Sequence, residues 1–260
     1  MQYHSTRNNS ISVSSAIAIK QGLSAEGGLF VPESFPGIAI EEIASLAGRS
    51  YQDRAYFILS RFLTDFSEED LKACIKGAYT REKFGTDAIA PVYKLNDQVY
   101  FLELWHGPTC AFKDMALQIL PHFLTTSMKM TGEEKEIIIL VATSGDTGKA
   151  ALEGFRDVAG TRIIVFYPDN GVSEIQKLQM VTQRGNNVSV AAVKGNFDDA
   201  QNGVKKIFTD DEYKKLLDRN DFKLSSANSI NWGRLVPQIV YYISAYAELV
   251  KDGEIALGDK

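Results

Sequence analysis

A lysine at position 113 ends a stretch that is suited to covalent chemistry on an aldehyde. Gly107 and Pro108 predict a turn before it, and apolar spacing predicts a helix over residues 115–124. In the first turn of a helix the dipole disfavours an ammonium group and apolar neighbours add desolvation, so both lower the pKa of a lysine. A neutral amine is the form that attacks a carbonyl carbon. Asp114 would oppose this effect by pairing with Lys113, and a surface lysine is the plainer interpretation of this segment taken alone.

A second stretch joins an apolar strand, predicted over residues 137–142, to a loop of hydroxyls and glycines and then to a helix. Gly145 and Gly148 permit close backbone approach, and the start of a helix offers N–H donors to a carboxylate or phosphate. An ordinary N-capped turn explains the loop equally well. A P-loop is excluded because it requires a glycine where Thr143 stands and a hydroxyl where Ala150 stands. A dinucleotide fingerprint is excluded by the glycine spacing.

A third stretch, residues 225–234, combines hydroxyls with two amides, Asn228 and Asn231, and with Arg234. Such groups recognise polar or anionic substrates, and the arginine fork matches a carboxylate or phosphate. Capping of a helix by Asn or Ser, with a solvated arginine, is an equally good interpretation.

The elements that must position these residues change in type near residue 90. Before it the sequence predicts helices over residues 41–46, 51–63 and 67–79, the last with Ser67 as its N-cap. After it strands are predicted over residues 137–142, 162–167 and 188–193, and helices over residues 173–184, 198–208 and 232–250. This alternation predicts an α/β fold with a parallel sheet and crossover helices, preceded by a small helical lobe. We therefore expect a mainly helical lobe over residues 1–90 and an α/β domain over residues 91–260. No strand follows the last helix, so we expect that domain to be incomplete at its carboxyl end.

The composition is that of a soluble globular protein, with 45% hydrophobic and 23% charged residues. A net charge of −5 gives no basic surface for nucleic acid, and no apolar run is long enough to span a membrane. Cys74 and Cys110 lie far apart without metal-ligand spacing, which argues against a disulfide framework or a zinc site. A cytoplasmic protein without a nucleic-acid partner fits these features best.

Taken in order, five segments resemble the threonine synthase family, and specifically its longer-chain branch. They are Tyr-His-Ser-Thr-Arg at 3–7, Gly-Gly-Leu-Phe-Val-Pro at 27–32, His-Gly-Pro-Thr-Cys-Ala-Phe-Lys-Asp at 106–114, Thr-Ser-Gly-Asp-Thr-Gly at 143–148 and Asn-Ser-Ile-Asn-Trp-Gly-Arg at 228–234. Each segment is weak alone, but their common order makes chance agreement improbable. Asn8 and Lys149 depart from the family pattern, in which a glycine and a small residue are commoner at these positions.

This resemblance implies a fold-type II enzyme that uses pyridoxal 5'-phosphate (PLP) to convert O-phospho-L-homoserine and water into L-threonine and phosphate. It implies that Lys113 binds the cofactor covalently and then moves protons between the carbons of the substrate, while Asp146 holds a hydrogen bond to the cofactor's ring oxygen. The residues that it assigns to substrate binding are Ser144, Asp146, Thr147, Asn228, Asn231 and Arg234.

Two other activities remain open from the sequence. A related PLP-dependent dehydratase or phospholyase would act on a different hydroxy- or phospho-amino acid, and a non-catalytic paralogue would keep the fold alone. Family members continue well past 260 residues and carry later in the chain the loop that holds the cofactor's phosphate. These 260 residues alone are therefore expected to bind PLP weakly and to have little activity. The oligomeric state is open.

Overall fold

The computed structural model describes residues 1–259 and contains the alternation of strands and helices expected after residue 90. The strands are β1 (Tyr3–Ser5), β2 (Ser12–Val13), β3 (Phe30–Pro32), β4 (Val92–Asn96), β5 (Val99–Leu102), β6 (Glu136–Ala142), β7 (Thr161–Pro168), β8 (Val188–Val193) and β9 (Phe222–Ser226). The first seven helices are α1 (Ser15–Gln21), α2 (Ile40–Ala44), α3 (Tyr51–Phe62), α4 (Glu68–Ala78), α5 (Arg81–Phe84), α6 (Asp114–Leu117) and α7 (Leu120–Met130). They are followed by α8 (Asp146–Phe155), α9 (Glu174–Val181), α10 (Phe197–Thr209), α11 (Asp211–Arg219), α12 (Trp232–Leu235) and α13 (Pro237–Lys251).

The central sheet is parallel, with strand order β8-β7-β6-β9. The expected fold class is therefore confirmed. The chain advances from β6 to β8 on one side and then returns to place β9 against the opposite edge of β6. Ile139 shows this arrangement, since it lies opposite Ile163 of β7 on one side and Ser225 of β9 on the other. The strand order thus reverses between β6 and β9, and such a reversal opens a crevice at the carboxyl ends of the strands.

Strand β6 is apolar without alternation because helices cover both of its faces. Ile137, Ile139 and Val141 enter the larger hydrophobic core together with the inner face of α8. Leu140 and Ala142 enter a second cluster with α10. Successive side chains of a strand point to opposite faces, so one strand contributes to two cores.

The helical lobe shares the larger core with the sheet. Tyr3, Ile58 and Ile89 belong to the same cluster of buried residues as Ile139. As predicted, Ser67 caps helix α4, where its hydroxyl accepts a hydrogen bond from the Asp70 N–H at 3.1 Å. The division of the chain at residue 90 into two domains stays a prediction.

Two helices that the sequence predicts as continuous are broken at prolines. The segment over residues 115–124 is divided into α6 and α7, and Pro121 stands in the first turn of α7. The segment over residues 232–250 is divided into α12 and α13, and Pro237 begins α13. Proline has no N–H to donate and its ring crowds the carbonyl four residues earlier, which explains both breaks. Among residues 1–259 there is no helix with the length and apolarity that crossing a membrane requires.

Candidate active site

The three candidate segments meet at the carboxyl ends of the strands, where the strand order reverses. The loop that follows β6 begins at Thr143, and the segment that follows β9 begins at Ala227. The amine of Lys113 reaches the first of these loops, with its Nζ 3.8 Å from Oδ2 of Asp146. The carboxyl ends of β6 and β9 therefore carry the candidate chemistry, at the position where parallel sheets bind ligands.

The loop before Lys113 is held by Asp114. Its carboxylate accepts hydrogen bonds from the Thr109 N–H at 2.8 Å, the Thr109 hydroxyl at 2.8 Å and the Ala111 N–H at 3.4 Å. Gly107 packs against this side chain so closely that an added Cβ would lie 2.4 Å from Cβ of Asp114. Asp114 is fully buried, and its carboxylate oxygens are occupied by these hydrogen bonds within the loop. It does not form the ion pair with Lys113 that would have opposed a neutral amine.

The amine of Lys113 lies in a partly buried and cationic environment. The side chain is 21% exposed, and Nζ lies 4.2 Å from the centroid of the Phe112 ring. Burial lowers the pKa of Lys113, Asp146 opposes this change, and the positive charges of Arg234 and Lys149 lower the pKa further. The net lowering of the Lys113 pKa increases the fraction that is present as the neutral, nucleophilic amine.

The loop after β6 is organised by Thr143. Its hydroxyl accepts hydrogen bonds from the N–H groups of Gly145 and Gly148, both at 2.9 Å. Gly145 has a φ of 136°, a conformation that side chains rarely adopt. The backbone N–H groups of Asp146 and Thr147, at the start of α8, donate to no group among residues 1–259. Ser144 beside them is exposed, which shows that solvent reaches this part of the loop. The two N–H groups are therefore available to bind an anion.

Asp146 is contacted by three side chains. Oδ1 accepts a hydrogen bond from Nε2 of Gln176 at 2.8 Å and lies 3.3 Å from Nζ of Lys149, while Oδ2 faces Lys113. Burial would raise the pKa of Asp146, but the Gln176 hydrogen bond and the two lysine charges outweigh it and hold that pKa below its ordinary value. Asp146 is therefore an anionic acceptor at neutral pH.

Arg234 is buried without a full set of partners. It is 2% exposed, and its Nε and Nη1 donate to no group among the described residues. Burial lowers the pKa of Arg234 to about 10, although Tyr241 and Asp114 oppose this shift. A buried guanidinium with unused donors is costly unless an anion satisfies it.

The two predicted amides are used within the protein. Asn228 exchanges two hydrogen bonds with the backbone of Ala142, at 3.1 and 2.8 Å, and so joins the end of β6 to the segment after β9. Asn231 donates to the carbonyls of Ile19 and Ser226, both at 2.9 Å, and caps α12 by accepting from Gly233. Since both N–H groups of Asn231 are occupied, its role as a substrate ligand stays a prediction that this geometry does not favour.

Two residues at the site were not assigned to it from sequence. Lys149 lies three positions after Asp146, so helical periodicity places both on one face of α8. That spacing was a usable signal. Gln176 comes from α9, thirty positions away from Asp146, and its local pattern predicts only a capping box with Ser173. Only the three-dimensional structure places it at the site.

The chain is similar to threonine synthases by sequence and by fold. A family model described as "Threonine synthase N terminus" matches residues 2–79. The threonine synthase of Pseudomonas aeruginosa is 41% identical over 250 residues, which cover 96% of this chain and 51% of that protein. Threonine synthase-like 1 of Homo sapiens is 42% identical over 250 residues, covering 93% of this chain and 33% of that protein.

Solved structures give the same result. The PLP-bound threonine synthase of Brucella melitensis superposes with a TM-score of 0.82 at 38% identity, covering 95% of this chain and 52% of that one. The yeast threonine synthase superposes with a TM-score of 0.83 at 35% identity, and the match covers 97% of this chain and 50% of the yeast chain. The chain thus spans about half the length of these threonine synthases.

Proposed function

Because this chain belongs to the threonine synthase family and matches about half the length of its members, we propose that it provides the lysine and the substrate-facing loops of a PLP-dependent enzyme. The reaction that we propose converts O-phospho-L-homoserine and water into L-threonine and phosphate. One observation carries this proposal. A lysine with a lowered pKa, an anionic carboxylate and a buried arginine with unused donors surround the carboxyl ends of β6 and β9.

The residues present fit PLP on chemical grounds. The cofactor supplies an aldehyde that condenses with amines and a ring that withdraws electrons from the bound substrate. Lys113 offers an amine that is partly exposed, and Asp146 offers an anionic acceptor beside it. The unused N–H groups at the start of α8 are donors for a carboxylate.

Each group has a distinct proposed task. Lys113 would hold the cofactor through its neutral amine and would accept and return protons at the substrate carbons. Asp146 orients the cofactor through a hydrogen bond. Ser144 lies beside the loop donors that bind the substrate carboxylate, and Thr147 supplies one of them. Asn228 fixes the distance between the two loops through its bonds to Ala142.

Arg234 is the feature that favours a phosphorylated substrate. A phosphate carries more charge than a carboxylate and presents several acceptor oxygens to a guanidinium fork. Because Nε and Nη1 of Arg234 have no protein partner among residues 1–259, an anionic group of the substrate satisfies them best.

A second candidate activity is a related phospholyase or dehydratase that acts on another phospho- or hydroxy-amino acid. It is supported by the relative named threonine synthase-like 1, which is as similar in sequence as the bacterial threonine synthase. The site residues described above serve either reaction, so the substrate must be distinguished by experiment.

Reductive trapping tests the proposed role of Lys113. The protein is incubated with PLP, reduced with borohydride and digested, and the cofactor adducts are located by mass spectrometry. Since the relatives are about twice as long and these residues alone are expected to bind PLP weakly, trapping is preferred to an activity assay. We expect the adduct to concentrate on Lys113 and to be lost in Lys113→Arg.

The matched control is Lys83→Arg. Burial also lowers the pKa of Lys83, but this lysine donates to the Gly77 carbonyl and does not contact Asp146. The control variant should retain the adduct on Lys113. An adduct spread over lysines in proportion to their exposure would reject the proposal. O-phosphohomoserine should suppress the adduct at lower concentration than homoserine, whereas stronger suppression by O-phosphothreonine would favour the second candidate.

A further inference from the structure

Two lysines share the single carboxylate of Asp146. Nζ of Lys149 lies 3.3 Å from Oδ1, and Nζ of Lys113 lies 3.8 Å from Oδ2. The side chain of Lys149 is only 9% exposed, against 21% for Lys113. Burying a second ammonium beside the proposed cofactor lysine is costly unless its charge is paired, and Asp146 supplies that pairing.

We infer that Lys149 is a positioning residue that favours the unprotonated form of Lys113 by pairing with Asp146 and by adding positive charge to the site. The inference rests on the proposed function, since it assigns a role toward the nucleophilic amine. Lys149 does not itself touch the reacting atoms and acts through Asp146.

The charges around Lys113 support this role. Asp146 and Lys149 approach from α8, Arg234 approaches from α12, and Asp114 on α6 is committed to its own loop. Tyr241 of α13 lies beside Arg234, and Gln176 of α9 is neutral. With Lys113 protonated, three cations would lie near Asp146, while the more distant carboxylate of Asp114 acts on Arg234 and Lys149. Loss of the proton from Lys113 relieves that repulsion.

The position of Lys149 is fixed by close packing at the start of α8. A Cβ on Gly148 would lie 2.6 Å from Cγ2 of Thr143 and 2.7 Å from Sδ of Met180, so the helix is held against the sheet. Gln176 also donates to Oδ1 of Asp146. Oδ1 of the carboxylate therefore contacts Gln176 and Lys149, and Oδ2 is the oxygen that faces Lys113.

Competitive acetylation without PLP measures how Lys149 changes the protonation of Lys113. Acetic anhydride reacts only with neutral amines, so the rate at Lys113 as a function of pH, read by peptide mass spectrometry, reports its protonation. Lys149→Met removes one cation and frees Asp146 to pair with Lys113. Both changes raise the pKa of Lys113, and we expect acetylation near neutral pH to slow by about tenfold. Lys149→Arg keeps the charge and should restore the wild-type profile.

Two further variants complete the experiment. Lys149→Gln is a neutral replacement that keeps a polar end and should slow acetylation as Lys149→Met does, which provides a second test if the methionine variant folds poorly. Lys177→Met is the control, because Lys177 lies at the same 3.3 Å distance from a carboxylate, that of Asp169, without contacting Asp146. This control should leave the profile of Lys113 unchanged.

The outcomes separate this inference from the proposed function. An unchanged profile in folded Lys149→Met and Lys149→Gln overturns the role of Lys149, even if PLP is trapped on Lys113. Slowing in Lys149→Arg equal to that in Lys149→Met also overturns it, since packing rather than charge would then be responsible. A shifted profile, together with a PLP adduct spread over lysines in proportion to their exposure, supports the role of Lys149 and rejects the proposed function.

Discussion

Arg54 and Arg234 are both buried but differ in their partners. Arg54 is 5% exposed and donates to the Leu46 carbonyl, to Ser244 and to Glu248, the last at 2.7 Å. Arg234 is 2% exposed and has two nitrogens without partners among residues 1–259. Arg54 is thus a satisfied structural residue, while Arg234 keeps unused donors, which we propose bind an anionic group of the substrate.

This difference predicts opposite effects of the same substitution. Arg234→Met should raise the free energy of unfolding by about 1–2 kcal/mol, because it removes an unsatisfied buried charge. Arg54→Met should lower it by about 1–3 kcal/mol, because it leaves the Leu46 carbonyl and Ser244 without their donor, while Glu248 keeps Lys251 as a partner. Thermal melts of the variants measure these changes in stability. Repeating the melts with inorganic phosphate tests anion binding at Arg234, since phosphate should stabilise the wild type and not Arg234→Met. Equal destabilisation by both substitutions would mean that Arg234 is structural.

The sequence identifies which residues are at the site better than it identifies their partners. Lys113 and Asp146 follow from the motifs, and the structure places them 3.8 Å apart. The direction of the Asp114 side chain could not be predicted, because its carboxylate satisfies donors in a loop that has no regular periodicity. Gln176 could not be predicted because its contact with Asp146 joins two different crossover helices.

Helix α8 depends on a glycine for its contact with the sheet. Gly148→Ala would place a Cβ within 2.8 Å of Thr143, Met180 and Val165, and should lower the free energy of unfolding by about 1–3 kcal/mol. Gly203→Ala in α10 is the control, because nothing lies within 4 Å of the added Cβ. There alanine should stabilise the helix by about 0.5–1 kcal/mol. Urea unfolding measures both changes, and a Gly148→Ala variant as stable as the wild type would contradict the close packing.

Elements could be predicted where one physical signal dominates. Strand β6 follows from a long apolar run, and α3 and α4 follow from helical spacing. Strand β9 was missed because it is short, ends in Ser225 and Ser226, and lies at a sheet edge where only one neighbour constrains it. This omission matters most for the site, because β9 creates the reversal of strand order.

At the scale of the whole molecule, one carboxylate joins the helical lobe to the sheet. Glu133 pairs with Lys20 of α1 at 3.1 Å and with Lys223 of β9 at 3.0 Å, and its side chain is 7% exposed. Burial opposes ionisation of Glu133, but the hydrogen bonds from Lys223 and Lys20 outweigh it and hold the pKa of Glu133 below its ordinary value of 4.5. The lobe is thus fixed to β9, which positions the Arg234 segment.

This pair of contacts predicts how stability depends on pH. A carboxyl group whose pKa is lowered by folding stabilises the protein above its unfolded pKa, and this contribution is lost as the pH falls through the folded value. Glu133→Gln should therefore cost roughly 2 kcal/mol at neutral pH, and the difference from wild type should vanish in acid. Glu134→Gln is the control, because Glu134 is exposed and forms no ion pair among residues 1–259. Urea unfolding across the acid range measures both variants. A difference for Glu133→Gln that does not change with pH would show that packing, not charge, joins the lobe to the sheet.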